Sequence, residues 1–103
     1  MRVVSARSDL TGQRELAWVG DEGEPIGNAR CTQRIRLSNN QTATVRRNLL
    51  LCWRTSSEKS VYTVAVDLDG KPSRIKSVAS IERQWSKLGE NGESRFRPER
   101  QSS

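Results

Sequence analysis

The sequence predicts an α+β domain: a mainly antiparallel sheet of three to five strands with one C-terminal helix packed on one face. Two stretches carry that prediction. Thr42 to Gly70 reads as a long β-hairpin, and after it Ile75, Val78, Ile81, Trp85 and Leu88 recur at helical spacing. Size adds a third constraint, because 103 residues at 33% hydrophobic content make one domain whose ends are too polar to join a core. The expected division is 1–14 as a poorly ordered segment or short edge strand, 15–89 as the folded α+β domain and 90–103 as a disordered tail.

In chain order, Val3 and Val4 can start a short strand before Asp9, Thr11 and Gly12 break the pattern. Glu15 to Gly20 puts Leu16 and Trp18 on one side, as a short edge strand would. Asp21 to Asn28 reads as a loop through its glycines and proline. Its acids Asp21, Glu22 and Glu24 lack the spacing of an EF-hand, so a solvated turn is expected and no metal is assigned. Ala29 to Leu37 alternates, with Cys31, Gln33, Ile35 and Leu37 on one face and Arg30, Thr32, Arg34 and Arg36 on the other. Ser38 to Gln41 is a turn, and a three-residue loop of Asn39 to Gln41 brings apolar faces together. That register pairs Leu37 with Ala43, Ile35 with Val45 and Cys31 with Leu49. It also sets Arg34 opposite Arg46, with Arg30 and Arg36 on the same face and Arg54 farther along. Like charges across a strand pair are unfavourable unless water or an anion relieves them.

The hairpin runs from Val45 to Thr55 and back from Ser60 to Leu68, with Ser56 to Lys59 as its polar loop. Trp53 then pairs with Tyr62, Leu51 with Val64 and Leu49 with Val66, an apolar wall on one face. Leu50 and Cys52 point the other way, with the arginines. Asp69 to Pro72 turns the chain into the helix, which Ser73 or Ser77 can cap and Gly89 can end. Its stripe is the expected cover for the Trp53 wall, each large side chain contributing ~1.5–3 kcal/mol on burial. The arginine face is then left bare.

Composition narrows the chemistry. There is no histidine, no P-loop, no dinucleotide or nucleophile-elbow motif and no zinc spacing. An enzyme is not expected, the available general bases being carboxylates such as Asp67 or Asp69, and no cofactor is implied. No apolar run approaches the ~20 residues that span a bilayer. The net charge of +6 points to an anionic partner. Arginine forks match carboxylate and phosphate geometry, so Arg30, Arg34, Arg36, Arg46 and Arg54, with Arg47 beside them, form the candidate binding set. The expected role is a small non-catalytic binding module for an acidic protein or other anion. The alternative is a cytosolic nucleic-acid-binding protein using the same arginines, though the aromatics that would stack on bases belong to the core side. Cys31 and Cys52 are either buried thiols in a reducing compartment or a disulfide in an oxidising one. The register above sets them on opposite faces and argues against the bond.

The segments RCTQRIRLS (Arg30 to Ser38), RRNLLLCWRTSSEKSVYTVAVDLDGKPS (Arg46 to Ser73) and SVASIERQW (Ser77 to Trp85) resemble small exported or lipoprotein-type proteins of actinobacteria. That group has no assigned activity, so no catalytic residue carries over. The resemblance implies an extracytoplasmic location and a Cys31–Cys52 bond. The N-terminus, MRVVSARSDL, has no apolar core of signal-peptide length, so such a location expects a leader already removed. The chain as written reads as cytoplasmic.

Overall fold

A computed structural model describes residues 1–36 and 42–88. In order, the elements are β1 (Arg2–Ala6), a short 3₁₀ helix (Arg14–Trp18), β2 (Glu24–Ile26), β3 (Ala29–Thr32), β4 (Arg34–Ile35), β5 (Thr44–Val45), β6 (Leu49–Thr55), β7 (Ser60–Val66) and α1 (Arg74–Leu88). Five strands form one antiparallel sheet in the order β1-β7-β6-β3-β2, and β4 and β5 form a separate two-stranded ribbon. The class is α+β, with the C-terminal helix packed against the larger sheet. The Leu37–Ala43 pair, the Asn39 to Gln41 loop, the Gly89 stop and the polar tail fall partly or wholly outside the described residues.

The β6–β7 hairpin has the expected register: Trp53 faces Tyr62, Leu51 faces Val64 and Leu49 faces Val66. Ser56 closes the loop, its N–H donating to the Lys59 carbonyl at 2.8 Å. The cover on that hairpin is where the fold departs from expectation. Helix α1 lies on the opposite face, over Leu50, Cys52, Val61 and Ala65, with Ala29 and Cys31 beside them. Trp85 belongs to this layer, whereas Trp53 belongs to the other side of the sheet. The reason is one of shape. Val61, Thr63 and Ala65 are small, and Ser77 and Ser80 are the small helix residues buried against the sheet, so helix and sheet backbones come close. The Trp53–Tyr62 face stands too high for that and takes a thinner cover. Leu10 and Leu16 from the N-terminal segment pack there with Tyr62, Val4, Val64 and Trp53.

Within α1, Ser73 is the N-cap, its Oγ accepting the Lys76 N–H at 3.1 Å. Ile81 is fully buried, but Ile75 is 80% exposed and is not part of the packed stripe. At about 100° per residue, Ile75 is turned well away from Ser77, Ser80 and Ile81.

Register explains why Arg30 and Cys31 exchange faces. Cys31 stands opposite Cys52, Arg30 opposite Trp53 and Thr32 opposite Leu51, in place of the expected Cys31–Leu49 pairing. On the ribbon Arg34 faces Val45 and Ile35 faces Thr44, so neither the Ile35–Val45 nor the Arg34–Arg46 pair forms. Between these two registers a single residue, Gln33, opposes the five from Arg46 to Leu50. The chain bulges there, and the slip is odd-numbered relative to expectation, which sends Cys31 to the helix side and Arg30 to the other. Cys31 and Cys52 are bonded across the strands, with sulfurs 2.08 Å apart.

Two local expectations also change. Arg14–Trp18 is 3₁₀ helix where Glu15 to Gly20 was expected to be a strand, because Leu16 must point down onto Tyr62. Within the expected 21–28 loop, Glu24–Ile26 pairs with Ala29–Cys31 through a two-residue turn, in which Gly27 takes the positive φ of 60°. Val3 and Val4 do lie in an edge strand, β1, paired to β7.

Candidate functional site

The bulge opposite Gln33 is held by one side chain. Gln33 is buried, and its Nε2 donates to the carbonyls of Arg46 at 3.3 Å and Arg47 at 2.8 Å. Its backbone carbonyl accepts the Arg46 N–H at 2.8 Å, and its Oε1 accepts from Arg74 Nη2 at 3.3 Å. Asn48 secures the other end, donating to the carbonyls of Asp67 at 2.6 Å and Gly70 at 2.9 Å. The Asp67 N–H returns a bond to the Asn48 carbonyl at 3.0 Å. Arg46 and Arg47 are thus displayed on a bulge whose carbonyls, and the Arg46 N–H, are held by Gln33 and its neighbours.

The ribbon beside it is anchored to the 3₁₀ helix. Arg36 N–H donates to the Trp18 carbonyl at 2.8 Å, Gly20 N–H donates to the Arg34 carbonyl at 2.9 Å, and Val19 bridges to Ile35. Arg34, Arg36 and Arg47 are exposed and Arg46 is half-buried. Arg34 Nε lies 3.6 Å from Asp21 Oδ2. Among the described residues, Arg36, Arg46 and Arg47 have no carboxylate within ion-pairing distance. Arg46 Nε is shielded from solvent and also lacks an acceptor there. Next to the bulge, Arg47 and Lys71 line an open groove with the exposed apolar residues Val45 and Leu68.

The expected arginine face therefore divides. Arg34, Arg36 and Arg46 stand together on the ribbon and its bulge, with Arg47. Arg30 sits across from Trp53 on the larger sheet, where Nη1 donates to the carbonyls of Glu22 at 3.4 Å and Gly23 at 3.3 Å. Arg54 is on the helix side, the side expected to be bare. It is ion-paired to Glu82, and its guanidinium stands 4.1 Å over the Trp85 ring. Lys59 Nζ is also over that ring, at 4.5 Å. Sequence reasoning missed Gln33 and Asn48 as the residues that position the bulge. The signal was an amide at an otherwise apolar, inward-facing position between Cys31 and Ile35.

Asp67, one of the carboxylates considered as a general base, accepts the Asp69 N–H at 3.0 Å in the turn before α1. Among the described residues no group of three or more Cys, Asp or Glu side chains stands where it could hold a metal. Nor is any helix among them long and apolar enough to cross a membrane. Compared with protein-family models, with curated proteins and with solved structures, the chain finds no match.

Proposed function

We propose that this chain is a non-catalytic interaction module whose arginine ribbon receives the carboxylates of an acidic protein partner. The observation that carries this reading is the unpaired state of Arg36, Arg46 and Arg47 among the described residues, on a backbone held by Gln33 and Asn48 at the bulge and by the Trp18 carbonyl at Arg36. Cations presented by a fixed scaffold lose little freedom when a carboxylate arrives, and guanidinium forks favour bidentate contact. The exposed Val45 and Leu68 beside Arg47 supply apolar area that a phosphate backbone would not use. The absence of histidine and of nucleophile motifs supports the non-catalytic part. The cross-strand disulfide supports an oxidising, extracytoplasmic location.

The test measures binding to poly-L-glutamate and to a single-stranded oligonucleotide across a salt series. Arg36→Glu combined with Arg47→Glu is expected to weaken polyglutamate binding by about tenfold or more at low salt. Lys76→Glu combined with Lys87→Glu makes the same charge change on the exposed side of α1 and is expected to leave most of the binding. Equal losses in the two variants would mean that net charge, not the ribbon, is what the polymer senses. Tighter and more steeply salt-dependent binding to the oligonucleotide would move the reading to nucleic acid.

A further inference from the structure

On the other side of the sheet, a cavity of about 170 Å³ opens between the N-terminal segment and Trp53, lined also by Thr11, Leu16, Val19, Asp21 and Glu22. Its walls are mainly apolar, and its size is that of a pocket able to hold a benzene-sized occupant. Gly23 fixes the indole: at φ +75° it approaches so closely that a Cβ there would lie 2.6 Å from Trp53 Cη2. The two acids differ. Asp21 is consumed internally, its Oδ1 accepting the Gly23 N–H at 2.9 Å and the Thr32 hydroxyl at 2.8 Å, and its Oδ2 facing Arg34. The Glu22 carboxylate has no cation within ion-pairing distance among the described residues, because Arg30 bonds its backbone carbonyl instead. The two tryptophans differ in the same sense. Trp85 is already covered by Arg54 and Lys59, while no described cation lies over Trp53.

We infer that this cavity is a binding site for a small organic cation of the trimethylammonium class. An aromatic ring beside an unpaired carboxylate, in an apolar recess, is the chemistry that holds a weakly hydrated, bulky cation. A compact, strongly hydrated ammonium would lose more water than this recess replaces. The site is separate from the arginine ribbon and does not rest on its function.

The experiment follows the Trp53 indole N–H resonance during titration with choline, and with its neutral analogue in which a tert-butyl group replaces trimethylammonium. Saturable shifts with choline are expected, with the neutral analogue about fivefold or more weaker. Glu22→Gln, at an exposed position, is expected to weaken choline about threefold or more, and Trp53→Leu to abolish the choline-induced shifts of the Gly12 and Val19 amides that line the cavity. No saturable shift, equal binding of the neutral analogue, or unchanged binding in Glu22→Gln would overturn the inference. Sedimentation with phosphatidylcholine vesicles separates the sources of the same group: protein left in the supernatant assigns a free solute, and protein in the pellet a lipid headgroup.

Discussion

Tyr62 joins three elements through one carboxylate. Its hydroxyl donates to Glu15, which also takes an ion pair from Arg2, so β7, the 3₁₀ helix and β1 meet at a single side chain. Burial, followed by the hydrogen bond to Glu15, pushes the Tyr62 phenol above its ordinary 10.0. The same hydrogen bond is the chief cause holding Glu15 below its ordinary 4.5. The two shifts act on stability at opposite ends of the pH scale. The raised phenol contributes stability that is fully present below pH 10 and is lost as pH rises through its folded value. The lowered carboxyl contributes stability present above its ordinary value and lost as pH falls through the folded one. Tyr62 is the single tyrosine of the chain, so ultraviolet difference titration reads it without overlap. A phenol midpoint above 10 is expected, and Tyr62→Phe should flatten the alkaline loss and reduce the acid one. A midpoint at or below 10 would contradict the bond. None of this triad was legible in the sequence, because it needs Leu16 to turn the 3₁₀ helix inward, and ELAWVG alternates as a strand does.

At the scale of elements, the hairpin and the helix were legible and the layer between them was not. Ser56 to Lys59 is a polar break between two apolar runs, and the stripe from Val78 to Leu88 has one period, so both elements follow from local pattern. LLLCW, however, is apolar on both faces, and no periodicity says which face a helix will choose. The small residues Val61, Thr63 and Ala65 admit the helix on one face, and the bulge held by the inward amide of Gln33 sets Cys31 on that same face. A regular ladder through the bulge would put Arg30 on the face of Leu50 and Cys52, whereas the bulge turns it to the Trp53 side. Arg54 keeps its face and lies under α1 with Glu82 and Trp85. The helix placement yields a direct contrast. Ile81→Ala, at a fully buried position, should cost about 2–5 kcal/mol. Ile75→Ala, at an 80% exposed position, should stay within about 0.5 kcal/mol. Comparable losses in denaturant unfolding would place the helix on a different face.

For the whole molecule, the sheet is covered on both sides, by α1 on one and by the N-terminal segment on the other, and its middle is tied by the Cys31–Cys52 bond. A disulfide closing a loop with a sequence separation of 21 contributes about 3 kcal/mol through the unfolded chain. Denatured but unreduced protein should therefore give no titratable thiol, and reduction should lower stability by about 2–4 kcal/mol. Two free thiols in freshly isolated protein would remove the support for an oxidising compartment. With both sheet faces occupied, Arg36, Arg46 and Arg47 stay without a carboxylate partner among the described residues, on the ribbon and its bulge. The most direct test is amide chemical-shift mapping of the protein during titration with poly-L-glutamate at low salt. The account predicts that the largest changes cluster at Arg34, Arg36, Arg46 and Arg47, with α1 little affected. Changes spread evenly over the basic surface, or centred on the lysines of α1, would contradict it.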